Sequence, residues 1–195
     1  MVLAAGLAAP IQAQEADVPS GAAVRTMVRE AEAEGKGDQS AIILALDKRV
    51  RARWGDFETF PLSIVRRPDL TVSLTTPYMA YRRALIAHLR MREPLASVPW
   101  TDAAVIRVNP ERLDAPDITA VTVTRAGGDI KPSQSQLRVM QFSDGNGNSA
   151  ALHAGELQFP AAAFAPGAPV EIRVLSASGE PFALTLQDDQ LRQLK

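Results

Sequence analysis

Apolar and polar positions alternate with a period of two through much of the second half of the chain. In Asp117 to Arg125 (Asp-Ile-Thr-Ala-Val-Thr-Val-Thr-Arg), Val121 and Val123 fall on one side of an extended backbone and Thr122 and Thr124 on the other. β-Branched residues in that alternation predict a half-buried strand. Gly127-Gly128-Asp129 follows and supplies the positive-φ positions of a tight turn. Similar runs at 103–108, 136–143, 150–153, 156–159, 170–175 and 182–186 bring the expected strands to seven. That is the strand number of an immunoglobulin-like sandwich, although the Cys…Trp…Cys hallmark is absent, so the likeness is one of pattern. Asp188 to Leu194 reads as a short capped helix.

Upstream the period changes. Asp38 or Ser40 caps a helix whose apolar stripe is Ile43, Leu46, Val50 and Trp54, and Gly55 ends it. Phe60, Leu62 and Ile64 then alternate with polar neighbours, as do Leu70, Val72 and Leu74 after the turn Arg66-Arg67-Pro68-Asp69. Two such runs around a Pro-Asp turn predict a β-hairpin, with Pro61 restricting its strand to an edge or a bulge. Thr76 caps and Pro77 opens a second helix, with Tyr78, Tyr81, Leu85 and Leu89 as its buried face and Arg82, Arg83, Arg90 and Arg92 outward. Two strands do not make a stable sheet alone, so this unit must pack on the sandwich or extend it.

The expected fold is therefore mainly β with a helical N-terminal part (α+β). A helix–β-hairpin–helix unit (38–93) and a connector (94–102) precede a C-terminal antiparallel immunoglobulin-like β-sandwich (103–195). Residues 14–37 carry one weak stripe, Val24, Met27, Val28 and Ala31, and read as a mobile leader or a loosely docked helix. Met1 to Ala13 is apolar and then small, with Ile11 and Ala13 in the −3 and −1 places before polar Gln14. It reads as the end of a secretory signal peptide without a positive n-region, too short to span a bilayer. An Ala-rich helix of a cytosolic protein is the rival reading. Export predicts a periplasmic or secreted protein.

Composition adds limits. With 46% hydrophobic residues, the chain can bury a core. A net charge of −1 provides no field for nucleic acid or an anionic membrane. Residues 38–93 hold ten basic and six acidic side chains, and residues 101–195 eight basic and eleven acidic. Mutual neutralisation of the two parts accounts for that asymmetry, and a phosphate-binding face is the sharper alternative. The chain contains no cysteine, which excludes disulfides, thiolate metal sites and a cysteine nucleophile.

Motifs for hydrolase, transferase or phosphate-loop chemistry are missing. Of the two histidines, His88 sits on a helix between Leu85 and Leu89. His153-Ala154-Gly155-Glu156 is the other; with Ala-Gly as a two-residue hairpin loop, His153 would face Glu156 across the strands. Asp144-Gly145-Asn146-Gly147-Asn148 places the oxygen-bearing side chains of Asp144, Asn146 and Asn148 at alternate positions, as the first half of a calcium loop does. It departs from that pattern at Ser149 and Gly155, and a plain Asp-Asn-Gly turn explains the same residues. Trp54, Tyr78, Tyr81 and Trp100 either stack on sugars or pack in the core.

Two functions follow as expectations. One is an exported non-catalytic protein with a binding or structural role toward a protein or an envelope polymer, without cofactor, nucleic acid or transmembrane segment. The other is a small-ligand protein or enzyme whose site lies between the helical unit and the sandwich, lined by Arg66 and Arg67 or by Arg82 and Arg83.

Overall fold

The computed structural model describes residues 19–56, 60–91, 100–179 and 181–194. The signal-like start Met1–Ala13, the run 57–59, most of the connector and the side chain of Leu89 lie outside the described residues.

The chain is mixed α+β, with four helices and two antiparallel sheets among the described residues. The first helix, α1 (Gly21–Gly35), is capped by Ser20 and buries Val24, Met27 and Ala31. The segment expected as a mobile leader or loosely docked helix thus contains a helix packed on its successor. Gly35 is where the two backbones meet: a Cβ there would sit 2.2 Å from Ile42. Helix α2 (Gln39–Trp54) begins at Asp38, whose carboxylate accepts from the N–H groups of Ser40 and Ala41, two donors a helix start leaves unpaired. Gly55 closes it at φ 94°, its N–H donating to the Arg51 carbonyl.

Strands β1 (Leu62–Arg66) and β2 (Leu70–Thr75) form the hairpin around Pro68-Asp69. Its first strand starts later than Phe60, which is 70% exposed, and a bulge at Ile64 shifts its register. Helix α3 (Pro77–Met91) follows, and the Thr76 hydroxyl accepts from the Met79 N–H while donating to the Leu194 carbonyl at 2.6 Å. Then come β3 (Ala103–Pro110), β4 (Ile118–Arg125), β5 (Gly128–Ile130), β6 (Gln134–Ser135), β7 (Arg138–Ser143), β8 (Ser149–Pro160), β9 (Val170–Ser176), β10 (Pro181–Leu186) and α4 (Asp188–Leu194).

One sheet runs β1-β2-β3-β8-β6, with β7 continuing along β8 beyond β6; the other runs β10-β9-β4-β5. The hairpin extends the first sheet, since β2 pairs β3 from Leu70↔Pro110 to Thr75↔Val105. One apolar core lies between the sheets, fed by Leu70, Val72, Ile106 and Phe159 from the first and by Val123, Ile172 and Val174 from the second. A second core joins α1, α2 and α3 through Met27, Leu46, Trp54, Tyr78 and Leu85. No helix among the described residues is long and apolar enough to cross a membrane.

Two expected features of the strand pattern change. The turn after β4 uses Ala126 (φ 49°) and Gly127 (φ 78°), one residue earlier than the Gly127-Gly128 pair, because Arg125 pairs with Gly128. The runs 150–153 and 156–159 are one strand, β8, with no hairpin between them. Gly155 is there because the neighbouring chain crosses close: at its φ of 137° a Cβ would lie 2.3 Å from the Gln136 carbonyl oxygen.

Candidate functional site

The candidate site lies where β8 outruns β3. The β3–β8 ladder stops at Val108↔Gly155, and residues 149–154 continue paired only with β7. The backbone N–H of His153 points to the side that β3 has left. Asp117, just before β4, covers it: Oδ1 accepts from that N–H at 2.7 Å and from the His153 ring Nδ1 at 2.8 Å. Partial burial pushes the Asp117 carboxyl up, but the two hydrogen bonds from His153 outweigh it and hold the group below its ordinary value. The expected His153–Glu156 pair does not form. With β8 continuous, the two residues lie along one strand, and Glu156 instead pairs across the ladder with Arg107, Nε at 2.9 Å.

Beyond this pair the β3–β4 loop and the β7–β8 turn enclose a half-open cleft of about 460 Å³. Leu113 and Phe142 give it apolar surface; Glu111, Arg112, Asp114 and Asp144 give it charge. Arg112 is held by Asp114 at 3.1 Å, so one positive side chain is partly neutralised within the lining.

The Asp144 loop forms one wall. Asp144 Oδ1 accepts from the N–H groups of Asn146 (2.8 Å) and Asn148 (3.3 Å), and Oδ2 accepts from the Asn148 side-chain amide at 2.7 Å. The Asn148 amide and the Asn146 N–H lower the Asp144 carboxyl below its ordinary value. Three N–H donors thus engage this carboxylate within the turn, with Oδ2 accepting only one of them, and Gly145 and Gly147 take the positive φ of the turn. Among the described residues no group of three or more His, Cys, Asp or Glu is placed to hold a metal.

The four arginines do not gather at one place. Arg66 is exposed at the turn end of the hairpin, opposite Thr71. Arg67 beside it holds both oxygens of Asp69 at 2.9 Å, keeping that carboxyl below its ordinary value. Arg82 and Arg83 lie on α3, which leaves from the other end of the hairpin after Thr75. Arg83 is exposed, whereas Arg82, expected outward, is 5% exposed. Its guanidinium reaches Asp56 at 2.7 Å and Asp47 at 3.8 Å and lies over the Tyr78 ring at 5.9 Å. The hydrogen bond from Arg82 depresses the Asp56 carboxyl. A second cleft, of about 480 Å³, does open between the helical part and the first sheet. Asp56, Phe60, Leu62, Met79 and Leu194 contribute to its lining, and none of the four arginines does.

The aromatic residues pack together: Trp54, Tyr78 and Tyr81 are buried, Trp54 meets Tyr78 edge-on at 6.0 Å, and Trp100 covers Tyr81 at 5.5 Å. Burial pushes the Tyr81 hydroxyl up to about 12. Tyr78 donates to the Gly55 carbonyl, fastening α3 to the end of α2.

The inward Arg82 had a signal in the sequence. It stands four residues after Tyr78 and three before Leu85, on the stripe assigned to the core, and Asp47 follows Leu46 at the edge of the stripe on α2. Opposite charges on two facing apolar stripes announce an interhelical ion pair.

No protein-family model matches this chain, and no curated protein matches it. A solved structure from Burkholderia pseudomallei K96243, described as a novel protein of unknown function, is similar at 14% identity and a TM-score of 0.33, covering 85% of this chain and 92% of its own.

Proposed function

We propose that the chain is an exported, non-catalytic protein of the periplasm or exterior that binds a protein or an envelope polymer, or has a structural role beside one. The two sheets are read as a sandwich of the immunoglobulin-like kind, a fold that displays binding loops at its ends. The observation that carries the reading is the cleft between residues 111–114 and 142–148. Two loops held by paired strands enclose a small apolar floor, Leu113 and Phe142, within a charged rim. That is the anatomy of a recognition surface. His153 and Asp117 beside it are engaged in closing the edge of β8.

The alternative, an arginine-lined ligand site or active centre between the helical part and the sheets, has less support. Arg67 and Arg82 have carboxylate partners within the fold, and the cleft in that position is lined by Asp56.

Two measurements test the proposal. Expressed with its own leader, the protein should be recovered outside the cytoplasm with its N-terminus at or near Gln14; intact Met1 in the cytosol would overturn export. Purified protein should co-sediment with insoluble envelope polymer or retain an envelope protein, and Leu113→Arg should abolish this without lowering the melting temperature. Retention indifferent to Leu113→Arg would move the site elsewhere.

A further inference from the structure

The outer edge of β7 differs from the other sheet edges among the described residues. β1 carries a bulge at Ile64 and prolines on both flanks, β5 is three residues long, and β10 opens on Pro181. Prolines, bulges and very short strands are the usual protections against pairing with another chain. β7, Arg-Val-Met-Gln-Phe-Ser, has none of them, and two of its apolar side chains stand in solvent: Val139 at 56% and Met140 at 43% exposure.

The register shows which backbone groups this edge offers. Gln136 N–H donates to the Glu156 carbonyl and Asp144 N–H to the Asn148 carbonyl, and the pairing between them runs without a shift from Arg138↔Ala154 to Ser143↔Ser149. Even-numbered residues therefore turn their N–H and C=O groups to β8, and Val139, Gln141 and Ser143 turn theirs outward.

We propose that β7 pairs with β7 of a second copy of this chain, antiparallel and two-fold symmetric about Gln141. In that register Gln141 bonds its own counterpart, and Val139 exchanges bonds with Ser143 of the second copy. Met140 packs on Phe142 of the second copy, and Arg138 comes opposite Asp144 of the second copy at both ends. The strand is complementary to itself in all three respects: outward hydrogen-bonding groups, apolar pairs, and opposite charges at its termini. Among the described residues Arg138 has no ion-pair partner inside the chain, and Asp144 is exposed beyond its turn bonds. Strand addition closed by a two-fold axis produces a dimer and uses up the β7 edge, and the β1, β5 and β10 edges keep the protections named above.

Light scattering of the full chain across a dilution series should show the mass rising from one chain to two with concentration; a single chain throughout would overturn the proposal. Gln141→Pro removes one outward N–H and leaves the β8 ladder intact, so it should stay monomeric with unchanged circular dichroism. Because the chain has no cysteine, Gln141→Cys places one thiol on the axis, where paired Cα atoms about 5.5 Å apart accept a disulfide. Mild oxidation should convert it to a covalent dimer, and Thr119→Cys, exposed on the second sheet, should stay monomeric. Equal cross-linking of the two variants, or a Gln141→Pro variant that dimerises like the wild type, would place the interface elsewhere and sink the β7 pairing.

Discussion

One carboxylate oxygen of Asp117 takes hydrogen bonds from both the backbone N–H and the ring of His153, thirty-six positions along the chain. The pair joins the start of one sheet's central strand to the extension of a strand in the other. Its backbone half matters more, because that N–H has no ladder partner once β3 has ended.

Asp117→Ala should therefore cost more stability than His153→Ala. The first leaves the strand N–H without its protein acceptor, roughly 1–2 kcal/mol after allowance for solvent access; the second keeps that bond and should cost under about 1 kcal/mol. The Asp117 carboxyl is depressed in the folded state below its ordinary 3.8. Its contribution is full above that value and is lost as pH falls through the lower folded one. Urea melts at neutral pH and at progressively acid pH should show the wild type converging on Asp117→Ala; a constant gap would refute the linkage.

Arg82 and Arg83 are neighbours with opposite fates. Arg82→Ala strands Asp47 in the helical core with Arg51 (2.9 Å) as its remaining partner, so a loss of about 3 kcal/mol is expected. Arg83→Ala, at an exposed position, should stay within about 0.5 kcal/mol of wild type. Chemical denaturation of both variants checks the contrast, and equal effects would mean that Arg82 is not held as described.

Gly155→Ala should be severe. A Cβ 2.3 Å from the Gln136 carbonyl oxygen forces β8 or the β6–β7 link to move, and the positive φ adds strain; together these should cost about 3 kcal/mol or more. Gly147→Ala has the same sign of φ and open space, so strain of about 1 kcal/mol is expected. Melting temperatures of the two variants separate close approach from backbone strain.

Val123, fully buried between Ile130 and Ile172 on the neighbouring strands, should not tolerate Asp. Loss of roughly 1.5–3 kcal/mol of burial plus several kcal/mol for an unpaired carboxylate is comparable with the roughly 5–15 kcal/mol that holds a domain together, so circular dichroism should find the variant largely unfolded. Asp144→Ala should remain folded, and millimolar Ca²⁺ should leave the wild-type melting temperature unchanged. A rise with Ca²⁺ that Asp144→Ala abolishes would establish a calcium loop.

What the sequence made legible is local. Asp38 and Thr76 name their helix starts because capping is decided within three residues, and Leu70, Val72 and Leu74 name a strand because alternation is short-range. Gly155 misled because a glycine between two apolar runs reads as a turn, whereas its reason is the β6–β7 link passing close to it. The Asp117–His153 bond and the continuous β8 depend on which strands come together, and residue spacing along a single strand does not encode that. Arg82 was legible in principle: its spacing put it on the buried stripe, and its charge argued the other way.

The hydrogen bond from Thr76 to the Leu194 carbonyl spans 118 positions. On a ribosome adding about 5–20 residues per second, about 6–24 s separate the synthesis of those two residues. Throughout that interval α3 lacks one of its anchors, and until Pro160 has been made β2 lacks the rest of its sheet. The contact that fastens α3 to the far end of the fold is consequently among the last to form as the chain emerges.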